Sequence, residues 1–210
     1  MTNQLAVAPG VTLWPFHLDA ATQKALNDDV LAGIARAPFF DPTMPRTGKK
    51  FSVRMTNFGS LGWVSDTAKG YRYEQVHPVT AEPWPPIPPS LLQLWDETTR
   101  YTAPPEACLV NFYSGGARMG LHRDQDEPAV DAPVLSVSLG DSAYFRFGTA
   151  SLRGETRRLK LRSGDVLMFG GPARLMYHGI DRILPGTSTL IRGGGRINLT
   201  LRRVTRPKSK

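Results

Sequence analysis

From residue 107 onward the sequence is a series of short apolar runs separated by turn residues, and this pattern constrains the fold more than any other feature. Short runs rich in β-branched and aromatic residues favour strands over helices. The predicted strands span residues 107–113, 133–139, 143–147, 157–161, 166–169, 175–178 and 196–204. Turn-forming residues at 139–143 and 163–165 predict two hairpin turns. Because no long helical segments alternate with these strands, we expect a sandwich or jelly roll rather than a doubly wound parallel sheet.

The first half of the chain gives more mixed signals. Asp19 is a suitable N-cap for a helix over residues 20–36, where apolar residues recur at helical spacing until Pro38 ends the segment. Ser90 is predicted to cap a second, shorter helix that contains Leu91, Leu94 and Trp95. We therefore expect two helices that pack on the strand-rich half.

Residues 38–89 lie between these helices and alternate proline, glycine, aromatic and basic residues. Phe51, Val53 and Met55 form one short strand pattern, and residues 84–89 should be a stiff, extended connector because four of them are prolines. This stretch is interpreted as a surface subdomain or lid.

The charge of the chain is its one unusual compositional feature. There are 26 lysines and arginines against 18 aspartates and glutamates, which gives a net charge of +8 and a pI near 9.9. A basic domain attracts polyanions, and binding to nucleic-acid phosphates releases counterions. The alternative is an ordinary basic surface without such a partner. Charge alone therefore suggests nucleic acid without identifying it.

The cellular setting is predicted from cysteine use and hydropathy. Cys108 is the single cysteine, so no intramolecular disulfide can form, and a reducing cytoplasmic compartment is expected. The first twenty residues lack the pattern of a signal peptide, and no stretch reaches the roughly 18 apolar residues of a membrane span. We expect a cytoplasmic protein without membrane association, and a monomer by default.

Two spaced polar patterns in the second half point to chemistry. One comprises His122, Asp124 and the distant His178; the other comprises Arg196, Asn198 and Arg202 near the end of the chain. Two imidazoles and one carboxylate occupy three sites of an octahedron in non-heme Fe(II) centres and leave three sites for cosubstrate and oxygen. Guanidinium groups bind a carboxylate in bidentate fashion. The patterns together predict an iron site beside an anion site.

Strand periodicity groups these polar residues further. In the last strand, Arg196, Asn198, Thr200 and Arg202 share one face, whereas Ile197, Leu199 and Leu201 share the other. The same alternation places Asn111 with Tyr113 on one face of an earlier strand. Each fragment alone has an ordinary explanation as a surface loop, a solvated strand face or a packed histidine. Their joint occurrence in a strand-rich half favours a functional site.

Longer sequence blocks make the chain resemble the bacterial AlkB family of 2-oxoglutarate and Fe(II)-dependent nucleic-acid dealkylases. The resemblance extends from about residue 38 to residue 203. It rests on Met55-Thr56-Asn57, Leu61-Gly62-Trp63, Gly70-Tyr71-Arg72-Tyr73, Pro83-Trp84-Pro85, residues 107–113, His122-Arg123-Asp124-Gln125-Asp126-Glu127-Pro128, Ser136-Val137-Ser138-Leu139-Gly140 and Tyr177-His178-Gly179-Ile180. The triad pattern would indicate only the wider oxygenase superfamily, whereas the Leu-Gly-Trp, Gly-Tyr-x-Tyr and Asp-x-Asp-Glu-Pro blocks are specific to the dealkylases.

The resemblance implies a mainly β fold with flanking helices: a double-stranded β-helix (jelly roll) core with an N-terminal nucleotide-recognition lid. It divides the chain into an N-terminal segment with a helix (1–37), the lid (38–89) and the dioxygenase core with a basic tail (90–210). By match, the iron ligands are His122, Asp124 and His178. The residues that match 2-oxoglutarate contacts are Asn111, Tyr113, Arg196, Asn198 and Arg202. The sequence does not assign each arginine to one carboxylate of 2-oxoglutarate.

The resemblance also implies residues that bind the damaged base. Trp63, Tyr71 and Met55 match lid positions at the base, although the aromatic residues could equally form the core of a small subdomain. Tyr73 is expected nearer the nucleic-acid backbone, and Trp63 or His178 is expected to stack on a flipped base. Asp126 matches an acceptor for the exocyclic amine of the base, or is a simple turn carboxylate. Arg153 lies one residue from a family position that contacts substrate, and Phe51 and Arg54 depart from the family pattern.

The implied reaction is oxidative demethylation of 1-methyladenine and 3-methylcytosine in DNA, with RNA as a further substrate. It uses Fe(II), O2 and 2-oxoglutarate and releases formaldehyde, succinate and CO2, which amounts to direct-reversal DNA repair. Single-stranded DNA is the favoured partner, with double-stranded DNA and RNA next. Two alternatives stay open: a 2-oxoglutarate oxygenase that acts on a protein or small molecule, and a nucleic-acid-binding module with an inactive iron site.

Overall fold

Two antiparallel sheets form the core of the protein in a computed structural model, which describes residues 4–148 and 154–207. The larger sheet has seven strands, which lie in the spatial order β1 (Leu5–Ala8), β2 (Val11–Trp14), β11 (Val166–Phe169), β8 (Val134–Gly140), β13 (Arg196–Arg202), β6 (Ala107–Tyr113) and β3 (Arg54–Gly59). The smaller sheet has four: β10 (Thr156–Leu161), β9 (Ser142–Gly148), β12 (His178–Leu184) and β7 (Met119–His122). This arrangement confirms the predicted jelly-roll core.

A separate two-stranded hairpin stands beside the larger sheet. It consists of β4 (Gly62–Asp66) and β5 (Gly70–Glu74), in which Trp63 pairs with Tyr73 across the strands. Residues 38–89 therefore contribute both to the core, through β3, and to this outlying hairpin.

The larger sheet has one apolar face, which the helices cover. Helix α1 (Ala20–Arg36) supplies Leu26 and Val30, and helix α2 (Pro89–Thr99) supplies Leu91 and Trp95 to this layer. The strand residues packed against them include Ile197, Leu199 and Leu201 of β13 together with Leu135, Val137 and Leu139 of β8. The apolar residues of β13 thus point to the helices, as the alternation predicts, and its polar residues point between the two sheets.

The two helices begin in different ways. At α1 the carboxylate of Asp19 accepts a hydrogen bond from the backbone N–H of Thr22 at 2.8 Å, which confirms the predicted cap. At α2 the predicted cap Ser90 is wrong, because the helix begins at Pro89 and Pro88 occupies the cap position without a side-chain bond. Proline suits the first helical turn because it has no N–H to satisfy and its φ angle is already helical.

Both predicted hairpin turns are corrected by the sheet topology. The turn at 139–143 joins β8 to β9, and the turn at 163–165 joins β10 to β11, but the strands of each pair lie in different sheets. Gly140 at the first turn has a φ of +84°, and a Cβ there would lie 2.5 Å from the backbone oxygen of Gly195. These turns carry the chain from one sheet to the other.

Other boundaries also differ from expectation. The strand predicted at 175–178 is wrong: a short 3-10 helix (Gly171–Ala173) precedes that position, and β12 begins only at His178. The N–H of Met176 bonds the carbonyl of Ala173 at 3.0 Å, so this segment continues the turn. The predicted pattern of Phe51, Val53 and Met55 overlaps β3 only at Met55, because β3 begins at Arg54. The sequence did not predict β1, β2, β4 or β5.

Within the described residues, no helix combines the length and apolar character that crossing a membrane requires.

Candidate metal centre and anion site

The three predicted metal ligands lie together at one end of the smaller sheet. His122 ends β7, His178 begins β12, and the two residues are direct cross-strand partners. Asp124 follows His122 by two residues, and its carboxylate oxygens are each 3.9 Å from the Nε2 atom of one histidine. The ligand atoms all lie within 4.8 Å of one another. Two features therefore assemble the group: His122 and His178 are register partners on adjacent strands, and Asp124 follows the end of β7 by two residues.

The donor atoms of this group fit a divalent metal ion. The Nδ1 atom of His122 is 2.9 Å from the carbonyl oxygen of Gly120, and that of His178 is 3.1 Å from the carbonyl of Met176. A carbonyl can only accept, so each Nδ1 donates and each Nε2 keeps its lone pair for a metal. The Oδ2 atom of Asp124 is buried without a hydrogen-bond partner. Two imidazole nitrogens and one carboxylate oxygen suit a facial Fe(II) site.

Burial and charge set the protonation of these ligands. Burial, together with the neighbouring His122, lowers the pKa of His178 to about 4, so this imidazole is neutral near pH 7. Burial would raise the pKa of Asp124, but the charges of Arg202 and the two histidines lower it to about 2. Both groups are therefore in the protonation state that a metal requires without any change near neutral pH.

Arg202 links the anion site directly to the metal centre. Its Nη2 donates to Oδ1 of Asp124 at 2.7 Å, and its Nη1 donates to Oε1 of Glu127 at 3.3 Å and to the hydroxyl of Tyr73 at 3.1 Å. Arg174 completes this buried network by donating to the backbone oxygen of Asp124 at 2.6 Å and to Oε2 of Glu127 at 2.9 Å. The hydroxyl of Tyr73 also donates to Glu127. The charges of these two guanidinium groups and two carboxylates thus neutralise one another in a buried network.

Arg196 has a different environment from Arg202. It is fully buried, and its side chain donates to the backbone oxygen of Asp141 at 3.2 Å and to Oγ of Ser138 at 2.7 Å. Its Nε has no partner, and no carboxylate forms a salt bridge with it in the described part of the chain. Burial lowers its pKa to about 10. A buried guanidinium without a carboxylate is a strong recognition element for an incoming one.

Asp141 holds the backbone around Arg196 in place. Its Oδ1 accepts hydrogen bonds from the N–H groups of Thr187 at 2.9 Å and Ser188 at 3.1 Å, and its Oδ2 accepts from the N–H of Gly195 at 3.0 Å. Its backbone oxygen is the one that Arg196 binds. The sequence did not indicate Asp141 or Arg174 as site residues, since Asp141 belonged only to the predicted turn at 139–143 and Arg174 to no pattern.

Two asparagines lie opposite each other between these arginines. Asn198 of β13 pairs in register with Asn111 of β6. Asn198 donates to Oγ of Ser136 at 2.7 Å and accepts from the hydroxyl of Thr200 at 2.8 Å, whereas Oδ1 of Asn111 is buried without a partner. Tyr113 lies two residues beyond Asn111, and burial raises the pKa of its phenol. The predicted polar face is therefore present, and the Oδ1 atom of Asn111 on it can still accept a hydrogen bond.

A cavity of about 690 Å³ between the two sheets joins these groups. It contains every predicted site residue except Tyr73 and Arg153: Met55, Trp63, Tyr71, Asn111, Tyr113, His122, Asp124, Asp126, His178, Arg196, Asn198 and Arg202. Its apolar wall includes Leu109, Phe145, Leu161 and Phe169, which the sequence did not single out as site residues. Tyr73 lies in the buried network just described, and Arg153 lies outside the described residues.

The mouth of the cavity is aromatic. Trp63 stacks on Tyr71 with ring centroids 5.5 Å apart, and Phe51 meets the edge of Trp63 at 6.1 Å. The indole Nε1 of Trp63 donates to Oδ2 of Asp126 at 3.0 Å, and the amide of Asn57 bonds both backbone groups of Trp63 at 3.0 Å. Trp63 is therefore held in one orientation by β3 and by the segment that carries the metal ligand Asp124.

The two histidines differ in access to this cavity. The side chain of His122 is 40% exposed, whereas that of His178 is 8% exposed. A ring that stacks on a base needs an open face. Of the two imidazoles, that of His122 therefore presents the more open ring to this cavity.

Comparisons with known proteins agree with this geometry. A family profile described as the 2OG-Fe(II) oxygenase superfamily matches residues 10–202. The chain is 56% identical to an alpha-ketoglutarate-dependent dioxygenase AlkB homolog of Caulobacter vibrioides, across 97% of this chain and 91% of that protein. It is 40% identical to the alpha-ketoglutarate-dependent dioxygenase AlkB of Escherichia coli, across 93% of this chain and 90% of that protein. The solved structure of OsALKBH1 superposes with a TM-score of 0.82 at 30% identity and covers 96% of this chain and 100% of that one.

Proposed function

Because the chain belongs to the 2-oxoglutarate and Fe(II)-dependent oxygenases, and within them to the AlkB-type dioxygenases, we propose that it oxidatively demethylates 1-methyladenine and 3-methylcytosine in nucleic acid. The observation that carries this proposal is the stacked pair of Trp63 and Tyr71 at the mouth of a cavity whose inner end is the metal triad. A planar base that is flipped out of its strand recovers stacking on such a pair.

His122, Asp124 and His178 would hold Fe(II) in this chain, and their donor atoms fit it. Bound iron supplies, with 2-oxoglutarate and O2, the oxidant that hydroxylates the N-methyl group, whose loss as formaldehyde restores the base. The residues of this chain bind, orient and shield these partners.

The two arginines suit different carboxylates of 2-oxoglutarate. Arg202 is bonded to the metal ligand Asp124 and is neutralised by two carboxylates, so it would lie beside the carboxylate that chelates the metal. Arg196 has no carboxylate partner among the described residues and would bind the distal carboxylate. Tyr113, Asn111 and Asn198 line the space between them and offer further hydrogen bonds.

The base would lie between Trp63 and the open face of His122. Asp126 already accepts the indole N–H of Trp63 on Oδ2, which leaves Oδ1 for the exocyclic amine of adenine or cytosine. Both proposed lesions carry such an amine and a methyl group on the Watson-Crick edge, where they weaken pairing and lower the free energy of flipping. Met55 lies on the cavity wall. The hydroxyl of Tyr73 is bonded to Arg202 and Glu127, so Tyr73 would affect the nucleic-acid backbone only indirectly, by supporting the β4–β5 hairpin.

Nucleic acid is the proposed substrate of this chain. The charge of +8 supports nucleic acid as substrate, with single-stranded DNA favoured and double-stranded DNA and RNA next. We propose that the β4–β5 hairpin and its flanks within residues 38–89 act as the nucleotide-recognition lid over the core of residues 90–210. Direct-reversal DNA repair by a cytoplasmic monomer is the role proposed.

Formaldehyde release from methylated oligonucleotides tests the function. Purified protein with Fe(II), 2-oxoglutarate and ascorbate should release formaldehyde from single-stranded oligonucleotides that carry 1-methyladenine or 3-methylcytosine, and the H178A variant should not. Succinate formation with proteins or small molecules, while methylated bases stay intact, would instead support an oxygenase with another substrate. Binding of oligonucleotides without any turnover by iron-loaded protein would support a binding module.

A further inference from the structure

The outward face of the smaller sheet carries a cluster of cations that the active site does not use. Arg146 of β9, Arg158 and Lys160 of β10 and Arg182 of β12 surround Tyr144, and we call this cluster the basic sheet face. The alternate residues of the same strands point inward, since Phe145, Phe147, Leu161, Ile180 and Ile183 are buried in the core. The cations therefore face solvent on the side of the sheet opposite the metal.

These cations are closely spaced and poorly neutralised. Arg158 of β10 is the direct cross-strand partner of Arg146 of β9. Tyr144 of β9 pairs with Lys160 of β10 on one side and with Arg182 of β12 on the other. The guanidinium carbons of Arg158 and Arg182 lie 5.1 Å and 5.2 Å from the centre of the Tyr144 ring. Across residues 4–148 and 154–207, the one carboxylate in salt-bridge contact with the cluster is Asp181, at 2.8 Å from Arg158.

The cross-strand pair of Arg146 and Arg158 places two like charges opposite each other. Such a pair destabilises an antiparallel sheet, whereas the Tyr144 ring attracts the guanidinium groups of Arg158 and Arg182 that lie over it. A bound polyanion relieves this repulsion and releases counterions.

The basic sheet face is continuous with the cavity mouth. Arg146 pairs with Gly179, and Gly179 lines the cavity together with the two preceding residues, Tyr177 and His178. The N–H of Gly148, at the end of β9, bonds the carbonyl of Tyr177 at 2.9 Å. The guanidinium of Arg123, at the mouth, lies 5.3 Å from the centre of the Tyr177 ring. A strand whose flipped base enters the cavity can thus follow cations from Arg123 to Arg146 and onward to Arg182.

We propose that the basic sheet face binds the phosphate backbone of the lesion-bearing strand, several nucleotides away from the flipped base. The proposal rests on the proposed function, since it takes the cavity mouth as the place where the strand is anchored. An anionic membrane surface is the other polyanion that a basic face could bind, but continuity with the mouth of a base-sized cavity favours nucleic acid.

The test compares a long substrate with a short one. The triple variant R158Q/K160Q/R182Q removes three cations and keeps Arg146, which is half-buried and bonded to Thr156 at 3.0 Å. A matched control, K24Q/R36Q/R100Q, removes three exposed cations at the helices. Binding of a methylated oligonucleotide of about 20 nucleotides is measured against salt concentration without 2-oxoglutarate, and turnover is measured on a methylated trinucleotide.

The triple variant should bind the long oligonucleotide at least about tenfold more weakly than the parent, and the slope of log Kd against log salt should fall by about 2. Turnover of the trinucleotide should be unchanged, and the control variant should show a much smaller effect on binding. Equal weakening by both variants, or no weakening by the triple variant, would overturn the proposal. So would a loss of binding to phosphatidylserine vesicles with oligonucleotide binding retained. Failure of the parent to demethylate the trinucleotide would instead contradict the proposed function.

Discussion

Arg202 donates to Asp124 across 2.7 Å, so that an arginine of the anion site orients a ligand of the metal site. Arg196, six residues earlier on the same strand face, makes no contact with the triad. Arg202 therefore supports the metal site as well as the anion site, whereas Arg196 supports only the anion site. Substitutions of the two arginines should separate these effects.

The first prediction concerns this separation. R196Q should raise the KM for 2-oxoglutarate by roughly 10- to 100-fold with little change in iron affinity, since a charge-assisted pair contributes about 1.5–3 kcal/mol. R202Q should weaken iron binding as well, because it releases the carboxylate of Asp124. Iron titration and steady-state kinetics measure both effects. A normal iron affinity for R202Q would contradict the assignment.

The second prediction concerns the buried charge network. E127Q should lower the free energy of unfolding by about 3 kcal/mol, because Arg174 would lose its one salt-bridge carboxylate among the described residues and Arg202 would lose one of its two. Y73F should cost about 1–2 kcal/mol through its lost hydrogen bonds to that network. Y101F is the matched control, since the Tyr101 hydroxyl bonds the exposed Asp131, and its effect should be near zero. Urea unfolding measures all three, and equal effects of Y73F and Y101F would argue against a stabilising network.

The third prediction concerns the indole N–H of Trp63. W63F keeps an aromatic ring but loses the bond to Asp126, so the base should be held less well while iron and 2-oxoglutarate bind normally. Formaldehyde yield per succinate should therefore fall. W84F provides the control, because Trp84 bonds the carbonyl of Glu74 away from the cavity and its loss should leave this ratio unchanged. A parental ratio in W63F would show that the bond has no role in coupling.

The fourth prediction concerns pH and the metal-free protein. The pKa of His178 is about 4 in the folded state and 6.5 as the reference value, because burial and the neighbouring His122 disfavour the imidazolium. Between these values the unfolded chain binds a proton that the folded chain does not, so stability is lost as the pH falls from about 6.5 towards 4. The loss should total about 3 kcal/mol. Urea unfolding in EDTA across this range should show a smaller pH dependence for H178Q than for the parent, and identical slopes would refute the prediction.

The site residues that could be predicted from the sequence are those whose positions follow from the local geometry of a strand. The alternation of β13 required only the two-residue period of a strand, so the common face of Arg196, Asn198 and Arg202 was predictable. The match of longer blocks to a known family then supplied the ligands and the rim of the cavity. Both kinds of signal lie in contiguous sequence.

What sequence reasoning did not recover depends on distant partners. The turn at Gly140 has the composition of a hairpin, but the strand that pairs with β8 is chosen by the whole sheet and is not β9. Arg174 reaches Glu127 and the backbone of Asp124 from a short 3-10 turn, a contact with no periodic or motif signal. Asp141 likewise acts through backbone groups of a loop more than 40 residues away.

The bond between Trp63 and Asp126 has a consequence for lesion range. Asp124 and Asp126 are two residues apart, so their Cα atoms can be separated by at most about 7 Å. The spacing between the metal ligand and the proposed acceptor for the base is therefore set by covalent chain length, which side-chain substitutions cannot stretch. Relatives that accept larger adducts on this scaffold should differ at the aromatic mouth, formed by Phe51, Trp63 and Tyr71, while keeping the Asp-x-Asp spacing.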